Sequence, residues 1–165
     1  MGSRTWTAMA AGVAIGLAGC GAPPRDAVRD VSAFLQAAQG DDPMAFEAHI
    51  DRPAVRADLK GQLMAAPAVR ALRDQLGPTV GDVAIDRMLS PTPFRRMQAV
   101  AEGLPAAGDL DAIRARLKLM GPGRACLQAR HDARCLLTFV RQERSWKLVG
   151  LRAPDIVAAG PGPDA

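Results

Sequence analysis

The spacing of apolar positions changes period once along the chain. From Arg25 to Gln39, Val28, Val31, Leu35 and Ala38 recur three and four residues apart with Phe34 beside them, the stripe of an amphipathic helix, and Gly40 stands where that helix would stop. Asp42-Pro43 predicts a second, short helix through Ala48, with the aspartate as cap and the proline where a missing N–H costs nothing. Asp51-Arg52-Pro53 repeats the device. The third helix sets Val55, Leu59 and Leu63 on one face, kinks or breaks at Pro67, resumes through Ala71, Leu72 and Leu76, and ends at Gly77-Pro78. Two shorter helices follow, Val80 to Leu89 and, capped by Ser90 or Thr92, Pro93 to Ala101. Their apolar sides include Val83, Met88, Leu89, Phe94, Met97 and Val100. Asp109 to Met120, between Pro105 and Gly121-Pro122-Gly123, has helical spacing at Leu110, Ile113 and Leu117 and predicts one more helix.

Beyond Ala125 the period shortens. Cys126 to Arg130, Cys135 to Arg141 and Trp146 to Leu151 are short runs of β formers separated by polar turns at His131-Asp132 and Gln142 to Ser145. They predict a three-stranded antiparallel meander. The expected fold is α+β, N-terminal helices packed on a small C-terminal antiparallel sheet of about three strands, in one domain over residues 25–152. Residues 153–165, with Gly160-Pro161-Gly162-Pro163, have no core to join and read as a disordered tail.

The beginning of the chain carries an address. Arg4 is the single charge of Met1 to Thr5, and Trp6 to Ala18 is uncharged but shorter than the roughly 20 residues that a helix needs to cross a bilayer. Residues 1–19 therefore read as a signal peptide. Leu17-Ala18-Gly19-Cys20 resembles the lipobox of bacterial lipoproteins. The resemblance implies a diacylglyceryl group on the Cys20 thiol, cleavage before it, acylation of the new amine, and residues 20–24 as the tether. Gly21, in place of an Asp that would favour inner-membrane retention, points to the outer membrane, with the domain facing the periplasm.

Two of the three cysteines remain, and an oxidising compartment makes a Cys126–Cys135 disulfide the expected outcome; their spacing suits neighbouring strands of a hairpin. The alternative, a zinc site of Cys126, His131 and Cys135, lacks a recognisable fourth ligand. Net charge is +4, with residues 95–152 contributing +7, so the C-terminal half is the cationic half. Arg130, Arg134, Arg141, Arg144, Lys147 and Arg152 lie on or beside the three strands. Pairing of those strands is expected to gather them on one sheet face, either as a contact for anionic lipid or as a merely solvated face, while Leu136, Phe139 or Val140, Trp146 and Leu148 turn toward the helices.

Phe34 to Asp42 and Ile50 to Leu63, with a helix ending in Gly40-Asp41 and the run Asp51-Arg52-Pro53-Ala54-Val55-Arg56-Ala57-Asp58-Leu59-Lys60, resemble the opening of the bacterial domain-of-unknown-function family 2939 (DUF2939). Val83 to Met97, with Ser90-Pro91, is similar to that family's helical linker. Leu136 to Arg152, with Trp146-Lys147-Leu148, is similar to its closing hairpin, whereas Glu102 to Arg124 departs from its pattern. More distantly, the order of helices and strands resembles cystatin-like and NTF2-like envelope proteins. The resemblance brings no catalytic residues.

The search for chemistry excludes much. The chain has no Gly-rich phosphate loop, no paired-Cys or His-x-x-x-His metal motif and no Gly-x-Ser-x-Gly elbow. His49 reads as a helix-end residue, His131 as a turn residue, Asp41-Asp42 as caps and Trp146 as a core plug. Few aromatics are available to stack on bases, and export removes nucleic acid as a partner. The sequence thus predicts a non-enzymatic envelope lipoprotein without cofactor or metal, acting as a binding or scaffolding module toward an envelope protein or anionic lipid. The alternatives are a carrier of lipid or small molecules in an NTF2-like pocket and an envelope hydrolase.

Overall fold

The computed structural model describes residues 22–40, 42–65, 78–99 and 103–152. The expected signal peptide, Cys20, Gly21, Asp41, the run from Pro67 to Gly77 and the tail 153–165 lie outside the described residues. Within them the helices α1 (Arg25–Gln39), α2 (Pro43–Ala48), α3 (Arg52–Ala65), α4 (Pro78–Met88), α5 (Pro91–Ala99) and α6 (Leu110–Arg116) precede the strands β1 (Leu117–Gly121), β2 (Arg124–Gln128), β3 (Cys135–Gln142) and β4 (Ser145–Leu151). The architecture is α+β, as the change of period predicts.

The caps act as expected. The Asp42 carboxylate accepts the Ala45 N–H at 3.0 Å and that of Asp51 accepts the Ala54 N–H at 3.1 Å, so α2 and α3 each begin on a satisfied donor. The Gly40 N–H closes α1 on the Gln36 carbonyl at 2.8 Å. Ala27, Val28, Val31, Phe34, Leu35 and Ala38 form the buried stripe of α1. Ser32 lies in that stripe, and its hydroxyl donates to the Ala107 carbonyl at 2.5 Å, which ties α1 to the loop before α6 without leaving a buried polar group unpaired. On α4 the expected apolar side is partly wrong: Val83 is exposed and Ile85 is buried.

The strand count also needs correction. The helix predicted for Asp109 to Met120 ends at Arg116, and Leu117 turns to an extended conformation to begin a fourth strand. Period alone misled here, because Leu117 and Leu119 suit one face of a strand as well as a helix. Pairing with β2 decides the matter. The Gly121-Pro122-Gly123 segment is accordingly a hairpin turn, with positive φ at both glycines (134° and 66°).

The four strands form an antiparallel meander in the order β1-β2-β3-β4. Its register makes two apolar rows, Leu117–Leu127–Leu137–Leu151 and Leu119–Ala125–Phe139–Leu148. Apart from Leu119, at the edge, these residues are buried in the core that the helices complete. All four phenylalanines meet there. Phe34 of α1 has its ring centroid 5.4 Å from Phe46, 5.3 Å from Phe94 and 5.7 Å from Phe139, and Phe46 and Phe94 are 5.3 Å apart. The opposite rows, Lys118–Cys126–Thr138–Gly150 and Gly121–Arg124–Val140–Lys147, form the outer face. On it Cys126 and Cys135 are joined by a disulfide, with Cα atoms 5.6 Å apart, as the sequence predicts.

The outer edge of β4 is covered. The Leu148 N–H donates to the His49 carbonyl and the Leu148 carbonyl accepts the Asp51 N–H, both at 2.9 Å. Further along, the Asp58 carboxylate accepts the Leu151 N–H at 3.1 Å and the Gln62 amide donates to the Leu151 carbonyl at 2.6 Å. A strand edge that would invite pairing with another chain is thereby satisfied from within.

Candidate functional site

Hairpin connectivity divides the sheet into two poles, and the helices fix what each presents. At the first, the Asp30 carboxylate accepts the Trp146 backbone N–H at 2.9 Å, and Asp26 accepts its indole N–H at 3.3 Å. The Arg141 guanidinium lies 3.7 Å from the Asp26 carboxylate, and the Arg141 N–H donates to the Gly123 carbonyl at 2.8 Å. The start of α1, the β1–β2 turn and the β3–β4 hairpin therefore share this hairpin pole. Arg25, Arg29, Arg124, Arg141 and Arg144 are exposed there. Of the acids at this pole, Asp26 and Asp30 are engaged with Trp146, and Glu143 is exposed in the β3–β4 turn beside Arg144.

The second pole is made by the β2–β3 turn, the end of α6 and Arg152 after β4. The Ala129 N–H donates to the Arg134 carbonyl at 2.8 Å, the Arg134 N–H to the Asp132 carboxylate at 2.9 Å, and the Arg152 N–H to the Leu136 carbonyl at 3.1 Å. The six cations expected on one face are therefore not together. Arg130, Arg134 and Arg152 sit at this turn pole and Arg141 and Arg144 at the hairpin pole; Arg141 lies six residue steps along β3 from Cys135, roughly 20 Å at the rise of a strand. Lys147 stands on the outer face opposite Val140, its ammonium donating to the Ala48 carbonyl. The alternation of an antiparallel strand explains the division: Arg141 shares a face with Trp146, and Arg130 and Arg134 belong to a turn with no face of its own. Of the residues expected to turn inward, Leu136, Phe139, Trp146 and Leu148 are buried in the core, and Phe139 rather than Val140 occupies it.

The histidines stand apart. His131 is exposed in the β2–β3 turn, and the two sulfurs that could have joined it around zinc are bonded to each other. Among the described residues there is no group of three or more His, Cys, Asp or Glu side chains placed to hold a metal ion. His49, half-buried at the end of α2, has its pKa lowered by burial and by the neighbouring Lys147 charge, against the opposing pull of Asp30. Trp146 is buried as a core residue, and Asp42 is used as a cap.

A residue that the sequence did not single out is the most constrained cation of the turn pole. Arg116, the last residue of α6, is half-buried. Its Nε donates to the Gln128 carbonyl at 2.8 Å and its Nη2 to the Gly103 carbonyl at 2.7 Å. Burial, and then the nearby positive charge of Arg130, lower its pKa. The available signal was Arg114-x-Arg116 in the last turn of a short helix, and the misplaced end of that helix concealed it.

A family model described as a protein of unknown function, DUF2939, matches residues 13–97, slightly more than half of the chain. The chain belongs to the DUF2939 family. In this DUF2939 member the matched span runs through α1 to α5 as far as Met97, so the resemblance drawn for the Leu136–Arg152 hairpin lies beyond it. No curated protein matches the chain, and no solved structure does.

Proposed function

We propose that this DUF2939 chain is a lipid-anchored protein of the bacterial envelope, held to the outer membrane through Cys20 and facing the periplasm, whose α+β domain acts as a non-enzymatic binding or scaffolding module. The observation that carries the reading is the run Leu17-Ala18-Gly19-Cys20 closing a charge-free stretch too short to span a bilayer. No helix among the described residues is long and apolar enough to cross a membrane.

The geometry adds an orientation. From Cys20 to Pro24 there are four backbone steps of about 3.5 Å, so the tether spans on the order of 14 Å at full stretch. It leads into α1 at the hairpin pole. A lipid on Cys20 holds that pole within about two Debye lengths of the headgroups, roughly 8 to 10 Å each. Arg141 and Arg144, with Arg25, Arg29 and Arg124, face an anionic surface there, each worth roughly 1 kcal/mol when close to it. Arg130, Arg134 and Arg152, about 20 Å further away along the strands, are screened from it and look outward.

The test is the Cys20→Ser variant, followed by membrane fractionation and fatty-acid labelling in a bacterial host. The wild type is expected in the membrane fraction with label; the variant is expected unlabelled, as precursor or soluble protein. Equal membrane retention of the two refutes the anchor.

A further inference from the structure

We propose that the groove at the turn pole, between α5, the loop before α6 and the β2–β3 turn, binds a small ligand through an oxyanion held by Arg116 and Arg130. The inference gives the binding-module reading a ligand chemistry and rests on that reading for its biological sense, but its test does not depend on the anchor.

Arg116 is built as a fixed donor. Two of its five N–H bonds go to the Gln128 and Gly103 carbonyls, which hold the guanidinium plane in place. The other three, including both on Nη1, have no protein partner among the described residues. Arg130 lines the same groove as Arg116. Among the described residues neither arginine has a carboxylate within ion-pair distance. The neighbouring acids are used elsewhere: Asp111 pairs with Arg114 at 2.7 Å, Asp132 with Arg134 at 3.5 Å, and Asp109, which borders the groove, accepts the Ala112 N–H at 2.9 Å as the cap of α6. Two like charges beside each other, one half-buried, are an arrangement that an oxyanion relieves, because it accepts from both guanidinium groups and cancels their repulsion.

The space fits a ligand larger than an ion. The groove has a volume of about 380 Å³, walled on its apolar side by Leu104 and Pro105, and a second recess of about 300 Å³ beside His131 is bordered by the same two arginines. Ligand sites begin near 300 Å³ and combine apolar walls with a few fixed polar groups. The class is therefore a small organic molecule with a carboxylate or phosphate group.

Thermal unfolding of the full chain in detergent, disulfide intact, tests the site with inorganic phosphate and with succinate as probes, each replacing chloride at constant ionic strength. A saturable rise in Tm with either anion is expected, and the anion that produces it tells phosphate from carboxylate. Arg130→Ala, which removes an exposed side chain, is expected to keep the anion-free Tm and to weaken the apparent affinity at least tenfold, the scale of a lost charge-assisted hydrogen bond. Arg116→Lys, which keeps the charge but not the planar fork, is expected to weaken it as well. Arg144→Ala at the hairpin pole is expected to change nothing. No saturable rise with either anion overturns the proposal, and so does an equal rise in Arg130→Ala. Loss of membrane retention in Cys20→Ser is read in a different assay, so failure of the anchor and failure of the anion site remain separate results.

Discussion

Replacing Phe34 by leucine tests the account of the core, because the change leaves the apolar burial nearly constant and removes ring geometry. Phe34 is fully buried, and its ring meets Phe46, Phe94 and Phe139 at centroid distances of 5.3 to 5.7 Å. Such pairs contribute about 0.5 to 1.5 kcal/mol each beyond the area that they bury. All three Phe34 pairs are lost with the ring, roughly 1.5 to 4.5 kcal/mol together on that scale, while the Phe46–Phe94 pair is untouched. With a shape mismatch of up to about 1.5 kcal/mol, the expected cost lies between about 1.5 and about 6 kcal/mol, a large part of a stability of about 5 to 15 kcal/mol. Phe139→Leu removes only the Phe34 ring contact and is expected to cost about 0.5 to 1.5 kcal/mol on the same ring-pair scale. Urea unfolding of the disulfide-bonded chain, followed by circular dichroism, gives both values. A Phe34→Leu cost within about 0.5 kcal/mol of zero, or a larger cost for Phe139→Leu, refutes the idea that Phe34 is the hub on which helices and sheet converge.

Two further outcomes follow from the same geometry. The Cys126–Cys135 bond closes a loop of sequence separation 9, and in the chain-entropy account the double alanine variant loses about 2 to 3 kcal/mol, measured as a lower urea midpoint than the oxidised wild type. His49 has a folded-state pKa below its ordinary value of 6.5, so between the two values the unfolded chain binds the proton that the folded chain refuses. Its contribution is complete above about pH 6.5 and is lost as pH falls through that window; His49→Gln is expected to reduce the decline, and an unchanged slope of stability against pH refutes the assignment.

How much was legible in the sequence follows from which forces decide each element. α1, α2 and α3 were readable because local chemistry suffices for them: a stripe at helical spacing, and Asp42 and Asp51 each followed by a proline. β1 was not, because Leu117 and Leu119 are apolar in either period and only the partners Leu127 and Ala125, several residues later, make the extended form the better one. The same holds for Val83 and Ile85, where the packing of α4, and not its periodicity, selects the buried residue. The disulfide was legible from the spacing of the two cysteines and the expectation of export. The grouping of cations was not, because charge counts ignore alternation, and alternation with hairpin connectivity sends Arg141 and Arg144 to one pole and Arg130, Arg134 and Arg152 to the other.

That division also separates what family membership can support from what this chain must support by itself. The match to DUF2939 covers residues 13–97, which include Leu17-Ala18-Gly19-Cys20, the start of α1 and therefore one side of the hairpin pole. Arg116, Arg130 and the disulfide all lie after Met97, on the sheet side of the molecule. Membership therefore carries no expectation for the oxyanion groove in either direction, and the groove stands on its own geometry: a guanidinium fixed by two carbonyls, a second lining the same groove, and no carboxylate within ion-pair distance of either among the described residues. In the proposed orientation the two ends perform different tasks. The hairpin pole needs only net positive charge near a membrane, which tolerates exchange between Arg and Lys. The turn pole needs a planar donor held at one angle, which does not. An Arg→Lys exchange at Arg144 and at Arg116 therefore separates the two kinds of positive charge, because the first preserves its task and the second does not.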